Sequence, residues 1–129
     1  MKLKFIAPSG LDKNIKATAH RSGKLGFSAE AALKLKLDIN KYASIAINEE
    51  DANDKNLYVI LSGEKKDDTF TISKAGAYYY LNAKALFDNL KVDYVKDSVV
   101  YDIKEDLIDG QQLYNFKRRE KEKKQIDIS

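Results

Sequence analysis

Short alternating runs of apolar and polar residues, separated by turn signals, dominate the chain and point to a mainly β protein with two brief helices. Residues 13–20 (KNIKATAH) alternate as a strand, RSGK at 21–24 marks a turn, and LGFS at 25–28 resumes extended structure. Ser28 stands directly before AEAALKLKL and has the chemistry of a helix N-cap, with Ala31, Ala32, Leu35 and a possible Leu33 as the apolar face. That helix is expected to end near Leu37 or Asp38. Strands follow at 43–48 and 57–62, joined by the acidic loop EEDANDKN.

After a linker at 63–68 the same order returns: strand TFTIS, turn KAG, strand AYYYLN, helix AKALFDNL, then strands VVYDI and LYNFK. Gly23 aligns with Gly76, Phe27 with Tyr80, Ala32 and Leu33 with Ala85 and Leu86, Leu37 with Leu90, and Ile39 with Val92, all at a spacing of 53. Beyond loop insertions, Ser44, Ile45 and Ile47 align with Ser98, Val99 and Tyr101, and Leu57 and Tyr58 with Leu113 and Tyr114. Such a register describes a duplicated ββαββ unit. A unit of this size buries too little apolar surface to stand alone, so the two copies are expected to share one core. The expected fold is α+β, mainly β: a pseudo-twofold barrel built from repeats 13–62 and 69–116, in a single domain spanning 1–116. The opening MKLKFIA is expected to cover an edge or a barrel end, and 117–129 to form a charged tail.

Charge is unevenly placed. The formal +3 divides into +6 for 1–48, −4 for 49–68, −2 for 69–116 and +3 for 117–129. A basic first third and a basic tail are the kind of electrostatic footprint an anionic partner would use, nucleic acid being the commonest, while lysines that only solubilise a small surface give the same asymmetry. Only Arg21, Arg118 and Arg119 are arginines among the 23 basic residues, which argues for phosphate contact through lysine over guanine readout through the guanidinium fork. The chain has no cysteine and one histidine, His20. Thiolate catalysis, thiolate zinc sites and His-rich metal clusters are therefore excluded, and no enzymatic activity, cofactor or metal is expected. The acidic loop lacks EF-hand spacing, and the glycines form neither GxGxxG nor a P-loop. No apolar run reaches the roughly 18 residues of a membrane helix, so the expectation is a cytoplasmic protein with no membrane partner.

The stretch 21–47, with its turn glycine, basic residues, extended pair, short helix ending in leucine and further strand, resembles the swapped-hairpin element of the AbrB/MazE type. Residues 74–103 resemble it more distantly, and the family's proline, glycine and Gly-Asp turn are replaced here by Ser28, Lys36, and Lys41 with Tyr42. The resemblance implies a DNA-binding barrel of the transcription-regulator kind. It would place Arg21, Lys24, Lys16, Lys34 and Lys36 on the nucleic acid. The basic run beginning at Lys117, Arg118 and Arg119 would add non-specific affinity.

Two other readings compete. A structural or assembly module would use the barrel as a scaffold for a protein partner or a homo-oligomer. A single-strand binder would use Tyr78 and Tyr80, which share one strand face opposite Tyr79. The alignment of Tyr80 with Phe27 instead assigns Tyr80 to the core.

Overall fold

A computed structural model describes residues 1–5 and 14–120. Eight antiparallel strands and two helices follow one another as β1 (Lys16–Ala19), β2 (Lys24–Phe27), α1 (Ala29–Lys34), β3 (Tyr42–Ala46), β4 (Leu57–Ser62), β5 (Phe70–Ala75), β6 (Tyr78–Asn82), α2 (Lys84–Asn89), β7 (Val99–Ile108) and β8 (Gln111–Arg118). The strands close into a barrel in the order β1-β2-β6-β5-β3-β4-β8-β7. Four of its pairings, β2 with β6, β3 with β5, β4 with β8 and β1 with β7, join the first half of the chain to the second. Neither half forms a continuous sheet by itself, and closure removes the strand edges that a half-barrel would expose.

Three of the four hairpins turn on residues with positive φ. Gly23 adopts φ 87° in the β1–β2 turn, and a side chain there would press to within 2.5 Å of the Lys84 Cβ, because this turn packs on the start of α2. Gly76, at φ 62°, opens the two-residue β5–β6 turn. Asp109 and Gly110, at φ 52° and 77°, make the Asp-Gly turn that joins β7 to β8.

Ser28 caps α1 as its position in sequence suggested. Its Oγ accepts from Ala31 N at 3.1 Å and Lys16 N at 3.3 Å and donates to the Asn14 carbonyl, tying the helix start to the strand beside it. Ser28→Ala is expected to cost about 1–2 kcal/mol, read as a lower urea midpoint at unchanged slope. Both helices end the same way, with a lysine in the left-handed region: Lys36 at φ 52° and Lys91 at φ 56°. Leu37 N donates to Ala32 O at 3.0 Å and Val92 N to Phe87 O at 2.9 Å, the long bond of a Schellman cap.

These caps correct the expected alignment. Leu37 corresponds in conformation to Val92 and not to Leu90, since the two capping lysines lie 55 positions apart whereas Gly23 and Gly76 lie 53 apart. The chain takes two more residues to pass from turn to helix in the second half.

Ala17, Leu25, Leu35, Leu37, Leu57, Val59, Leu81, Phe87, Tyr101 and Phe116 are buried to 2% exposure or less and fill the barrel and its helical covers. Phe27 meets Phe116 edge to face across the interior, at 6.1 Å between ring centroids. Leu33 lies on the solvent side of α1 at 80% exposure, so Ala31 and Leu35 carry the helix contact. Met1–Phe5 forms no strand and is exposed, so it covers neither an edge nor a barrel end of its own chain; Ile6, Ala7 and Lys13 lie outside the described residues. β8 runs through Lys117 and Arg118, which puts the first residues of the expected tail inside the sheet.

Candidate nucleic-acid interface

In β2 and β6, Leu25 faces Leu81 in the interior, so the intervening residues Lys24, Gly26, Tyr78 and Tyr80 stand on the outer face. Gly26 is the floor of this surface. A Cβ at that position would lie 1.5 Å from the Tyr78 hydroxyl oxygen, so only glycine lets the Tyr78 side chain lie across β2. Tyr78 and Tyr80 stack with centroids 5.9 Å apart and planes inclined by 25°. Lys24 Nζ sits 4.6 Å from the Tyr80 centroid, a cation–π distance, and His20 meets Tyr78 edge on at 6.3 Å. Partial burial raises the Tyr78 pKa above the usual phenol value.

Tyr80 is thus not a core residue. The pleat explains the difference from Phe27: Leu81 points inward, so Tyr80 must point outward, and Tyr79 is the tyrosine that packs against the core.

The nearby turn is anchored on the second half of the chain. Ala83 N donates to Gly23 O at 2.9 Å, and Arg21 Nε donates to Val95 O at 3.2 Å. This holds the Arg21 stem beside the same end of the barrel as Lys24.

The structure does not gather the other expected contact residues there. Lys16 is at the opposite end of the β1–β2 hairpin, roughly 13 Å along a four-residue strand, and pairs in register with Asp102. Lys34, Lys117, Arg118 and Arg119 line a separate open cavity of about 980 Å³. There they alternate with Asp54, Asp102, Glu105 and Glu120. Arg119 reaches Asp102 with Nη2 at 2.6 Å and Nε at 3.3 Å, and this carboxylate raises the arginine's pKa. Arg118 donates from Nη2 to the Tyr101 hydroxyl at 3.2 Å, and its backbone N–H donates to Asn56 Oδ1 at 3.0 Å. Lys36 is exposed in the α1 cap. The acidic loop is organised by its own side chains: Asp54 accepts from Tyr58 and from Asn48 Nδ2, and the Tyr58 bond chiefly holds its carboxyl below the usual value.

The expected basic surface therefore divides in two. One end combines Arg21, Lys24 and His20 with a pair of outward tyrosines; the other mixes cations with carboxylates that screen them. The tyrosine run was visible in sequence, but Gly26, on which the ring placement depends, carries no local signal because its partner is 52 residues away.

What the fold and this surface define is a closed β-barrel with an aromatic and basic outer patch. Comparison with protein-family models, curated proteins and solved structures finds no match to the chain. Among the described residues, no helix is long and apolar enough to cross a membrane.

Proposed function

We propose that this protein is a non-enzymatic nucleic-acid-binding barrel that holds an unpaired strand against the outer face of β2 and β6. The observation that carries this reading is the outward Tyr78–Tyr80 stack with Lys24 over one ring. Base stacking on aromatic faces is tolerant of sequence, and nearby cations neutralise the phosphates that such a strand brings. Lys24 over the Tyr80 ring and His20 against the Tyr78 edge supply a cation and a polar group at this surface, and Arg21 lies in the adjoining turn. The scarcity of arginine suits this mode, since no guanine-reading fork is needed.

A second reading keeps duplex DNA as the partner and a tandem swapped-hairpin barrel as the fold. Its support is topological: exchanging β1 with β5, β2 with β6, β3 with β7 and β4 with β8 carries the closed strand order onto itself, as a pseudo-twofold duplication requires. In this reading the basic residues of both hairpin ends and of α1 contact phosphate together.

One titration separates them. A labelled single-stranded oligonucleotide is expected to bind in fluorescence anisotropy at about 50 mM salt, to weaken as salt rises, and to resist competition by duplex of the same length. Lys34→Ala with Lys36→Ala is expected to leave that binding unchanged, because neither residue lies on the tyrosine face. Preferential duplex binding that the α1 variant abolishes would favour the swapped-hairpin reading. Failure to retain either strand form at that salt would sink both and leave the barrel as an assembly or protein-interaction module.

A further inference from the structure

The strands of the β7–β8 hairpin remain paired as far as Ile108 with Gln111, but β1 accompanies β7 only through Asp102, followed by one bond from Ile103 N to Ile15 O at 3.0 Å. From Lys104 to Ile108, β7 has β8 on one side and no strand on the other among the described residues. The direction of the Ile103 N–H fixes the alternation: Glu105 and Leu107 also turn their backbone groups to the open side. The Asp106 carboxylate covers one of these groups by accepting from Leu107 N at 2.8 Å. Among the described residues, no strand lies opposite the Glu105 N–H and C=O or the Leu107 C=O, and these groups can pair with an added strand.

This edge has a distinct chemistry. Glu105 and Asp106 make it acidic, Asp109 follows in the turn, and Leu107 is 68% exposed. The same chain carries a segment with the complementary pattern. In Met1–Phe5, Lys2 and Lys4 alternate with Leu3 at 72% and Phe5 at 91% exposure. Alternation of this kind presents one apolar and one cationic face when the segment is extended.

We propose that Met1–Phe5 of a second copy adds as an antiparallel strand to the Lys104–Ile108 edge, each copy giving and receiving one segment in a twofold dimer. In the antiparallel register that sets Leu3 opposite Leu107, Lys4 lies opposite Asp106, Lys2 opposite Ile108 and Phe5 opposite Glu105, whose partner Tyr114 on β8 is the next ring across the sheet. Reciprocal exchange closes the assembly at two chains, so no free edge propagates. The inference is independent of nucleic-acid binding and stands or falls on association alone.

The absence of native cysteine makes the test clean. Leu3→Cys and Leu107→Cys proteins, mixed in equal amounts and oxidised, are expected to yield a disulfide-linked species of roughly twice the 14.6 kDa chain mass. Leu3→Cys mixed with Asp106→Cys, whose side chain lies on the opposite face, is expected to cross-link several-fold less. Light scattering of the unmodified protein is expected to show a concentration-dependent dimer, and Leu3→Asp with Phe5→Asp to return it to monomer without lowering its melting temperature. A monomer at every attainable concentration overturns the proposal. An intramolecular disulfide in a monomeric Leu3→Cys, Leu107→Cys double variant does so too, by placing the segment on its own barrel.

Discussion

Replacing Tyr78 and Tyr80 together with alanine is expected to weaken single-strand binding about five- to 150-fold, the loss of one stacked base at about 1–3 kcal/mol. The melting temperature should fall by several degrees without loss of the fold, since the two rings lie on the outer face and the loss is limited to their mutual stacking and partial burial, about 1–2 kcal/mol. A sequence-based assignment of Tyr80 to the core makes the opposite forecast, with stability lost first. Gly26→Ala gives an independent handle on the same surface. It keeps both tyrosines but puts a methyl group where the Tyr78 hydroxyl now lies, so the ring must swing away and binding should fall with the barrel intact. Anisotropy titration and thermal melting of both variants decide the matter. Wild-type affinity in the double alanine protein would remove the stacking reading altogether.

The largest effect on stability is expected at Phe87. Its side chain, carried by α2, is fully buried with the Tyr94 ring 5.7 Å away, and truncation to alanine leaves a cavity in the core. Phe87→Ala should cost about 3–5 kcal/mol, a large fraction of the stability of a domain this size. Leu33→Ala, on the solvent side of α1, should stay within about 0.5 kcal/mol. Urea unfolding monitored by tyrosine fluorescence compares the two directly. A Phe87→Ala loss below about 1 kcal/mol would mean that α2 does not seal the barrel.

Local patterns in the sequence anticipate most individual elements. The strand at 57–62 agrees to the residue, and Ser28 caps α1 through hydrogen bonds to neighbours close in the chain or in the adjacent strand. The two halves also repeat the order strand, strand, helix, strand, strand. The Asp109–Gly110 turn was equally present in the sequence, and it lengthens β7 and β8 beyond the apolar runs VVYDI and LYNFK, whose outer ends are too polar to register as strand. Leu33 was ambiguous for a related reason: AEAALKLKL offers more apolar positions than a six-residue helix can bury, and only contact with the barrel selects among them.

The sequence by itself determines what depends on neighbours a few residues apart: the mainly β character, the turns, the helix cap and the uneven charge. Tertiary structure decides what depends on distant pairing. Closure of β2 against β6 sets the pleat that turns Tyr80 outward, and the approach of Tyr78 to Gly26 exists only because that pairing brings the two strands together. The same closure sends Lys24 and Lys34 to different surfaces, although ten residues separate them in the chain. A one-residue change of register inverts every side chain of a strand, and which register wins is set by burying Leu25 against Leu81, a long-range contact that no local pattern contains.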